Sequence, residues 1–462
     1  MIFKNHLLHN LPLRGTLHNM PKGIRKLQII FGETHLTHFG GIFLIHWFCQ
    51  KLKLKWILQS YIKFHQQNNR YTVAEIILCL IYSIIIGIGR VYTTRILRYN
   101  GSFQDIVGLQ KFPHFTALRK FLLRLTPKVL QQIITIHDSL RLKMFQCLHK
   151  KQTSIILDVD LEVIPVYGRL EGAKIGYNPT KPGRPSFYPI FCFEAHTQEV
   201  WHGKFRAGEP TGQQLKEFTE ESFQKLPKHI YRIRLRGDAK FFKQEVIAFL
   251  EEEKAGYAIV APSHLFKSKL GGLKYHEFRK GWEAAEFIYQ PDGWKKPYRF
   301  VVIRRPIPEE PEAQLTLFKL EKHAYQVIIS NLPLLPESVY RFYLGRSRQE
   351  GYIKELKWNF QIIKILTKKF LANEIYFHLH LFAYNIVNWF KLLCLPKQFK
   401  KWTLQTIRTE LLVLPARLVT SKKKHFLKLP TGHVYNWVFQ YAIHRIQKIK
   451  SSKFCTFVKK SK

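Results

Sequence analysis

Acidic residues are scarce in this chain: 32 Asp and Glu stand against 74 Lys and Arg, a formal net charge of +42 over 462 residues. That surplus exceeds what solubility needs and points to a polyanionic partner such as DNA or RNA, with a basic membrane-surface protein as the competing reading. Cysteine is sparse as well. Cys49, Cys79, Cys147, Cys192, Cys394 and Cys455 include no CxxC pair, so neither a zinc site nor a redox motif is indicated, and scattered thiols fit a cytosolic protein. The start, Met1-Ile2-Phe3-Lys4-Asn5-His6, lacks the apolar stretch of a signal peptide. Long apolar runs are missing too. The most apolar, over residues 73–88, holds Glu75 and falls short of the roughly 20 residues that a membrane span needs, so it reads as a buried helix. No internal repeat or low-complexity tract occurs. These absences point to a soluble, intracellular, unprocessed protein.

What is present is apolar substance: 46% hydrophobic residues, with 36 Phe and 21 Tyr. That is too much for a disordered basic chain, and the length accommodates roughly two to four domains. Residues 1–71 are basic and irregular, with aromatic islands such as Phe43-Leu44-Ile45-His46-Trp47-Phe48, and their fold is left unassigned. Residues 72–150 read as helices. Thr72 caps the apolar run, Gly87 and Gly89 punctuate its end, and Pro127 is a stop signal after the amphipathic stretch 115–125. Short helices with basic residues between apolar positions suit a helix-turn-helix-like DNA-binding module, and a plain helical bundle fits the pattern equally.

From Thr153 the texture changes. Strands are predicted over 155–164, 187–194 and 200–205, the last two meeting near Thr197-Gln198 as antiparallel neighbours. A helix follows over 211–226, a strand over 230–238, a helix over 241–254 with Gly256 as its C′ glycine, and a strand over 257–261. Three strands, helix, strand, helix, strand is the order of a ribonuclease-H-like core, a mixed α/β fold. Residues 262–332 interrupt it with aromatic and β-branched strands, read as an all-β insertion. Residues 333–395 return to helices, and residues 396–462 form a basic C-terminal region.

Acids on three separate elements stand out. Asp238 ends a strand in which Arg232, Arg234 and Arg236 share one face, and strand ends are where α/β sheets gather functional groups. Asp158, Asp160 and Glu162 share one face of the first strand. Further on, taking 343–357 as one helix at about 100° per residue, Tyr343, Arg346, Glu350, Lys354 and Lys357 fall within roughly an 80° arc. Ile353, Leu356, Phe360 and Ile363 form an apolar stripe beside it. Each pattern taken alone also fits a solvated polar face.

The spacing Y-x2-R-x3-E-x6-K, over Tyr343, Arg346, Glu350 and Lys357 and after two aspartates, resembles the DDE transposases of bacterial insertion sequences. More narrowly it resembles the branch with this Tyr-Arg-Glu-Lys signature and a β-insertion before the glutamate. The stretches Tyr167-Gly168, Gly176-Tyr177-Asn178-Pro179, Lys181-Pro182-Gly183-Arg184-Pro185-Ser186 and Ile353-Lys354-Glu355-Leu356-Lys357 are similar to one subfamily of it. The likeness spans residues 100–395.

The resemblance implies that Asp160, Asp238 and Glu350 hold two divalent ions, Mg2+ or Mn2+, for in-line phosphoryl displacement. Tyr343, Arg346, Lys354 and Lys357 would contact phosphate from a solvated face, and Lys174, Lys181 and Arg184 would follow the DNA backbone. Trp282 or Trp294 would handle a hairpinned or flipped base, against the alternative that they pack in the core. The implied partners are double-stranded DNA, as terminal inverted repeats and target, and a second copy of the chain. No membrane is implied, and the implied location is the bacterial cytoplasm, on the nucleoid. Two departures stand beside the likeness. Leu161-Glu162 and Ala239-Lys240 replace the small residues usual after each aspartate. They leave open whether Asp158 or Asp160 is the ligand, and admit an inactive or repurposed DNA-binding protein as the alternative.

Overall fold

The structure, a computed structural model, describes residues 33–66, 70–148, 152–307, 323–365, 367–422 and 424–455, with the backbone alone for Arg348, Gln349, Glu350, Lys453 and Cys455. The first 32 residues of the N-terminal segment and the last seven residues of the tail lie outside the described residues.

Helix α1 (Val73–Ile85) begins where Thr72 and Glu75 close a capping box: the Glu75 amide donates to Thr72 Oγ1 at 3.2 Å and the Thr72 amide to Glu75 Oε2 at 2.8 Å. Beyond Glu75, its third residue, α1 is buried to its end, as expected of a stretch that is apolar all round. Helix α2 (Pro127–Leu148) leads into the sheet. The strands are β1 (Ser154–Leu161), β2 (Ile190–Glu194) and β3 (Val200–Lys204); then, after helix α3 (Gly212–Gln224), β4 (Arg232–Gly237); and, after helix α4 (Gln244–Glu252), β5 (Gly256–Ala261). Their lateral order is β3-β2-β1-β4-β5, with β1, β4 and β5 parallel and β2 and β3 antiparallel. That is the ribonuclease-H-like arrangement expected from the order of elements. The β2–β3 turn is at Thr197-Gln198, with Gln198 at φ 64°.

The insertion does not form a body of its own. After two short helical turns (Ser263–Phe266 and Lys267–Leu270), β6 (His276–Arg279), β7 (Trp282–Tyr289), β8 (Tyr298–Pro306) and β9 (His323–Ser330) add to the free edge of β5 in the order β9-β8-β7-β6. Val327 pairs with Ala261 and Ser330 with Ala258, giving one nine-stranded sheet. The parallel core would otherwise expose β5 as an unpaired edge. Gly256 is also not the helix-ending glycine. Lys254 takes the left-handed conformation at φ 51°, while Gly256 opens β5, where a Cβ would sit 2.7 Å from Leu332 Cδ2.

Helix α5 (Pro336–Leu344) packs Val339 and Tyr340 on the extended half of the sheet, with Ala258, Val301 and Ile328. Then come α6 (Ser347–Lys354) and a wide π-turn (Glu355–Asn359). The predicted single helix over 343–357 is therefore interrupted. Gly345 and Arg346 make a tightened turn, the Arg346 amide donating to the Tyr343 carbonyl at 2.8 Å.

Helix α7 (Phe370–Cys394) is buried along most of its length. Its polar residues dock it on the β2–β3 hairpin: Asn385 accepts from the Val200 amide and donates to its carbonyl, both at 2.9 Å, and Asn388 donates to the Thr197 carbonyl at 2.7 Å. Such side chains mark a helix at the centre of a protein. No helix among the described residues is long and apolar enough to cross a membrane. Two N-terminal helices (Ile42–Lys51 and Leu54–Tyr61), α1 and α2 share one apolar core with α7.

Arg408 joins these layers. It is buried, its Nε donates to the Ile85 carbonyl at 2.6 Å and its Nη1 to the Asn359 carbonyl at 2.7 Å, so one cation ends α1 and holds the π-turn. Arg408→Met should lower stability by about 2–4 kcal/mol, because two buried carbonyls lose their donor; urea denaturation measures it, and a loss below about 0.5 kcal/mol would contradict this role.

Candidate active site

Strand register brings the first two acids together. β1 and β4 run parallel with Val159 opposite Gly237, so Asp160 and Asp238 occupy the next positions, at the carboxyl ends of neighbouring strands. Asp238 accepts from the Lys240 amide at 3.1 Å and so caps the turn after β4. Asp160 Oδ1 accepts from the Leu161 amide at 2.9 Å. Its carboxyl is pushed up to about 7, first by burial and then by the facing Asp238 charge. A largely buried carboxylate beside another carboxylate favours any cation that enters.

Asp158 and Asp160 on β1, and Glu162 just past its end, do not form a freely solvated face. Each acid meets a cation from a different element. Asp158 forms a two-pronged pair with Arg236 of β4, Nε to Oδ1 at 2.5 Å and Nη2 to Oδ2 at 2.7 Å, with both side chains buried. Asp160 meets Arg346 Nη2 at 3.1 Å. Glu162 meets Lys357 Nζ at 2.8 Å. This geometry separates Asp158 from Asp160: the former is consumed inside the sheet, and the latter stands at the strand end facing Asp238.

Arg236 also explains the interrupted helix. Its Nη1 donates to the Phe342 carbonyl at 2.9 Å, taking an acceptor from the last turn of α5. A Cβ on residue 345 would lie 2.0 Å from that same Nη1. Only glycine lets the chain pass over the guanidinium, and the tightened turn then delivers Arg346 onto Asp160.

Arg346 is accordingly buried, which corrects the expectation of a solvated position. The 80° arc assumed an unbroken helix, and the turn rotates Arg346 toward the sheet. Its Nε has no hydrogen-bond partner among the described residues, so its donor fork is only partly used there. The Tyr343 phenol lies beside it, with its pKa raised by burial. Lys357 is half-buried and Lys354 exposed, while Ile353, Leu356 and Phe360 are buried as predicted. Glu350 lies on α6 immediately beyond Arg346, and its side chain is outside the described residues. Among the described residues, no three His, Cys, Asp or Glu side chains form a metal-binding group. Asp160 and Asp238 supply two hard oxygen donors suited to Mg2+ or Mn2+, and the third expected acid is on the adjoining helix.

The basic loop is ordered by Asn178, whose Oδ1 accepts from the Thr180 amide at 3.2 Å and the Lys181 amide at 3.0 Å. Lys181 and Arg184 both lie over the Tyr167 ring, at 5.0 and 4.5 Å, and Lys174 is exposed beside them. Trp294 stacks on Phe242 at 4.9 Å, and Trp282 packs against Tyr340 at 5.8 Å. Both tryptophans belong to apolar clusters. The sequence reading missed Arg236 as an anchor. The available signal was an arginine opposite Asp158 once the strands are set in parallel register.

No curated protein matches the sequence. Residues 20–451 match the family described as transposase DDE domain, group 1. Among solved structures, the chain is similar to the cryo-EM structure of a piggyBac transposase synaptic complex with hairpin DNA. Identity is 12% and the TM-score 0.41, over 94% of this chain and 83% of that one.

The two aspartates of β1 should behave oppositely in urea melts. Asp158→Asn should cost about 3–5 kcal/mol at neutral and higher pH, where the wild-type carboxylate is ionised, because Arg236 stays buried without its counter-charge. The folded Asp160 carboxyl titrates at about 7 against an ordinary 3.8, so ionising it costs stability that grows as pH rises between those values. Asp160→Asn escapes that cost: it should gain on the wild type from about pH 4 to pH 7 and hold the gain above. A pH-independent difference for Asp160→Asn, or a harmless Asp158→Asn, would contradict these assignments.

Proposed function

This chain belongs to the family of DDE transposase domains, and on that premise we propose that it binds the terminal inverted repeats of a bacterial insertion sequence and cuts and joins DNA strands at their ends. The observation that carries the proposal is the Asp160–Asp238 pair at the carboxyl ends of two parallel strands, with Arg346 on Asp160 and the glutamate helix directly after it. In this reading Asp160, Asp238 and Glu350 hold the ions. The chemistry that two divalent cations, Mg2+ or Mn2+, supply in such a site is activation of the attacking oxygen and stabilisation of the leaving one.

The remaining work belongs to side chains. Arg346 offers a planar fork whose Nε has no partner among the described residues, fit to take a phosphate oxygen in place of Asp160. Lys357 neutralises Glu162 and can turn its ammonium to a phosphate without leaving the site uncovered. The Tyr343 phenol, close enough to Arg346 for the two to influence each other, adds a polar group beside the fork. Lys354, Lys174, Lys181 and Arg184 contact the backbone farther from the cut, where phosphate contacts set position rather than sequence. The +42 charge supplies the general attraction. Two protomers bridge two ends in the assembled complex, on the nucleoid of a bacterial cell. Positioning of the phosphate dominates phosphoryl transfer, so residues that never touch the metals still control the rate.

The test is nicking of end DNA by purified protein. Mg2+ or Mn2+ should support it and EDTA should stop it. Asp160→Asn, Asp238→Asn and Glu350→Gln should each abolish nicking while end binding stays within about threefold, since a lost ligand removes metal rather than a phosphate contact. Arg346→Lys should keep only part of the activity. Full nicking by Asp238→Asn or Glu350→Gln would overturn the assignment. Specific end binding by a wild type that never nicks would favour a DNA-binding protein on the same fold.

A further inference from the structure

Beside the acids runs a groove of about 1130 Å³, above the roughly 300–1,000 Å³ of small-molecule pockets. One wall comes from the N-terminal helical region, with Arg90, Tyr92 and Arg119. The other comes from the segment after β1, from the turn after β4 with Lys240, and from the π-turn with Lys357 and Trp358. Glu162 is its only acid among the described lining residues, and Lys357 neutralises it. The groove therefore begins at the end of β1, next to Asp160, and carries a strong positive charge.

Trp358 is the anomaly in it. Its side chain is 65% exposed, while Leu356 and Phe360 of the same turn are buried at 0% and 1%. Those two anchors, with Arg408 on the Asn359 carbonyl, hold the turn firmly and aim the indole away from the core. Tyr92 stands on the opposite wall, 52% exposed, with Arg95 over its ring at 4.5 Å. Aromatic faces set among cations recognise bases that are out of the duplex, because a paired stack hides its faces and presents phosphates alone.

We propose that this groove is a subsite for an unpaired stretch of DNA strand adjoining the phosphate at the acids, with a base stacked on Trp358 and the backbone held by the surrounding Arg and Lys. The inference rests on the DNA-cutting function proposed above and adds a site to it. The charge of the walls matches this occupant, and the position of the groove lets one continuous strand reach Asp160. Trp282 and Trp294 have no part in it.

The experiment measures binding of an oligothymidylate of about ten nucleotides and of a duplex of about 20 base pairs over a salt series, by fluorescence anisotropy. Trp358→Ala should weaken the single strand about 10-fold or more, and Trp358→Phe no more than about 3-fold. Duplex affinity should stay within about twofold, with the same salt slope, because stacking releases no counterions. An exposed position predicts an unchanged melting temperature for both variants. Wild-type single-strand affinity in Trp358→Ala, or parallel loss on both DNAs, would overturn the subsite. Failure of the wild type to bind either DNA would overturn the proposed function and the subsite with it.

Discussion

Everything at the acid site is referred to one buried ion pair, Asp158 with Arg236. A pair of this kind adds little net stability over an apolar replacement, since desolvation offsets most of the attraction. What it supplies is position. It locks β1 to β4 in the register that sets Asp160 beside Asp238. It draws in the last turn of α5 through the Phe342 carbonyl, and it demands a glycine at 345. The site is built outward from the pair: the turn over Arg236 delivers Arg346, Arg346 meets Asp160, and α6 departs with the glutamate.

The surrounding architecture keeps that end of the sheet both rigid and open. Extension by β6 to β9 removes the free edge of β5 and gives α5 a broad apolar floor. On the other half, α7 is pinned to the β2–β3 hairpin by its asparagines, and the N-terminal helices complete the same core. Arg408 links α1 to the π-turn. The cationic groove thus lies between parts that share one core, and its walls are held by buried contacts rather than by the charged residues themselves.

Local signals carried much of this into the sequence. The Thr72 capping box, the alternation of β1 and β4, and turn residues at Thr197-Gln198 depend on neighbours a few residues apart, so the strand order of the core and the order of its acids were legible. What was not legible depends on partners far along the chain. Whether strands after residue 262 close on themselves or join β5 is decided by edge pairing, which periodicity does not encode. Gly256 reads in sequence as a helix-ending glycine and Gly345 as a position inside a helix, yet the first makes room for Leu332 and the second for Arg236. The arc from Tyr343 to Lys357 was drawn on an unbroken helix, and the break that buries Arg346 is caused by a residue 110 positions earlier. Asp158 and Asp160 were indistinguishable until Arg236 was set opposite one of them.

The central claim is that Asp160, Asp238 and Glu350 surround one divalent-metal centre. Replacing Mg2+ with Fe2+ and generating hydroxyl radicals from it cuts the polypeptide next to bound metal, and the fragments can be mapped by mass spectrometry. The account predicts cuts clustered around residues 160, 238 and 350, suppressed by excess Mg2+ and lost in Asp160→Asn. Cuts that avoid these three segments, or that persist unchanged in Asp160→Asn and under excess Mg2+, would contradict it.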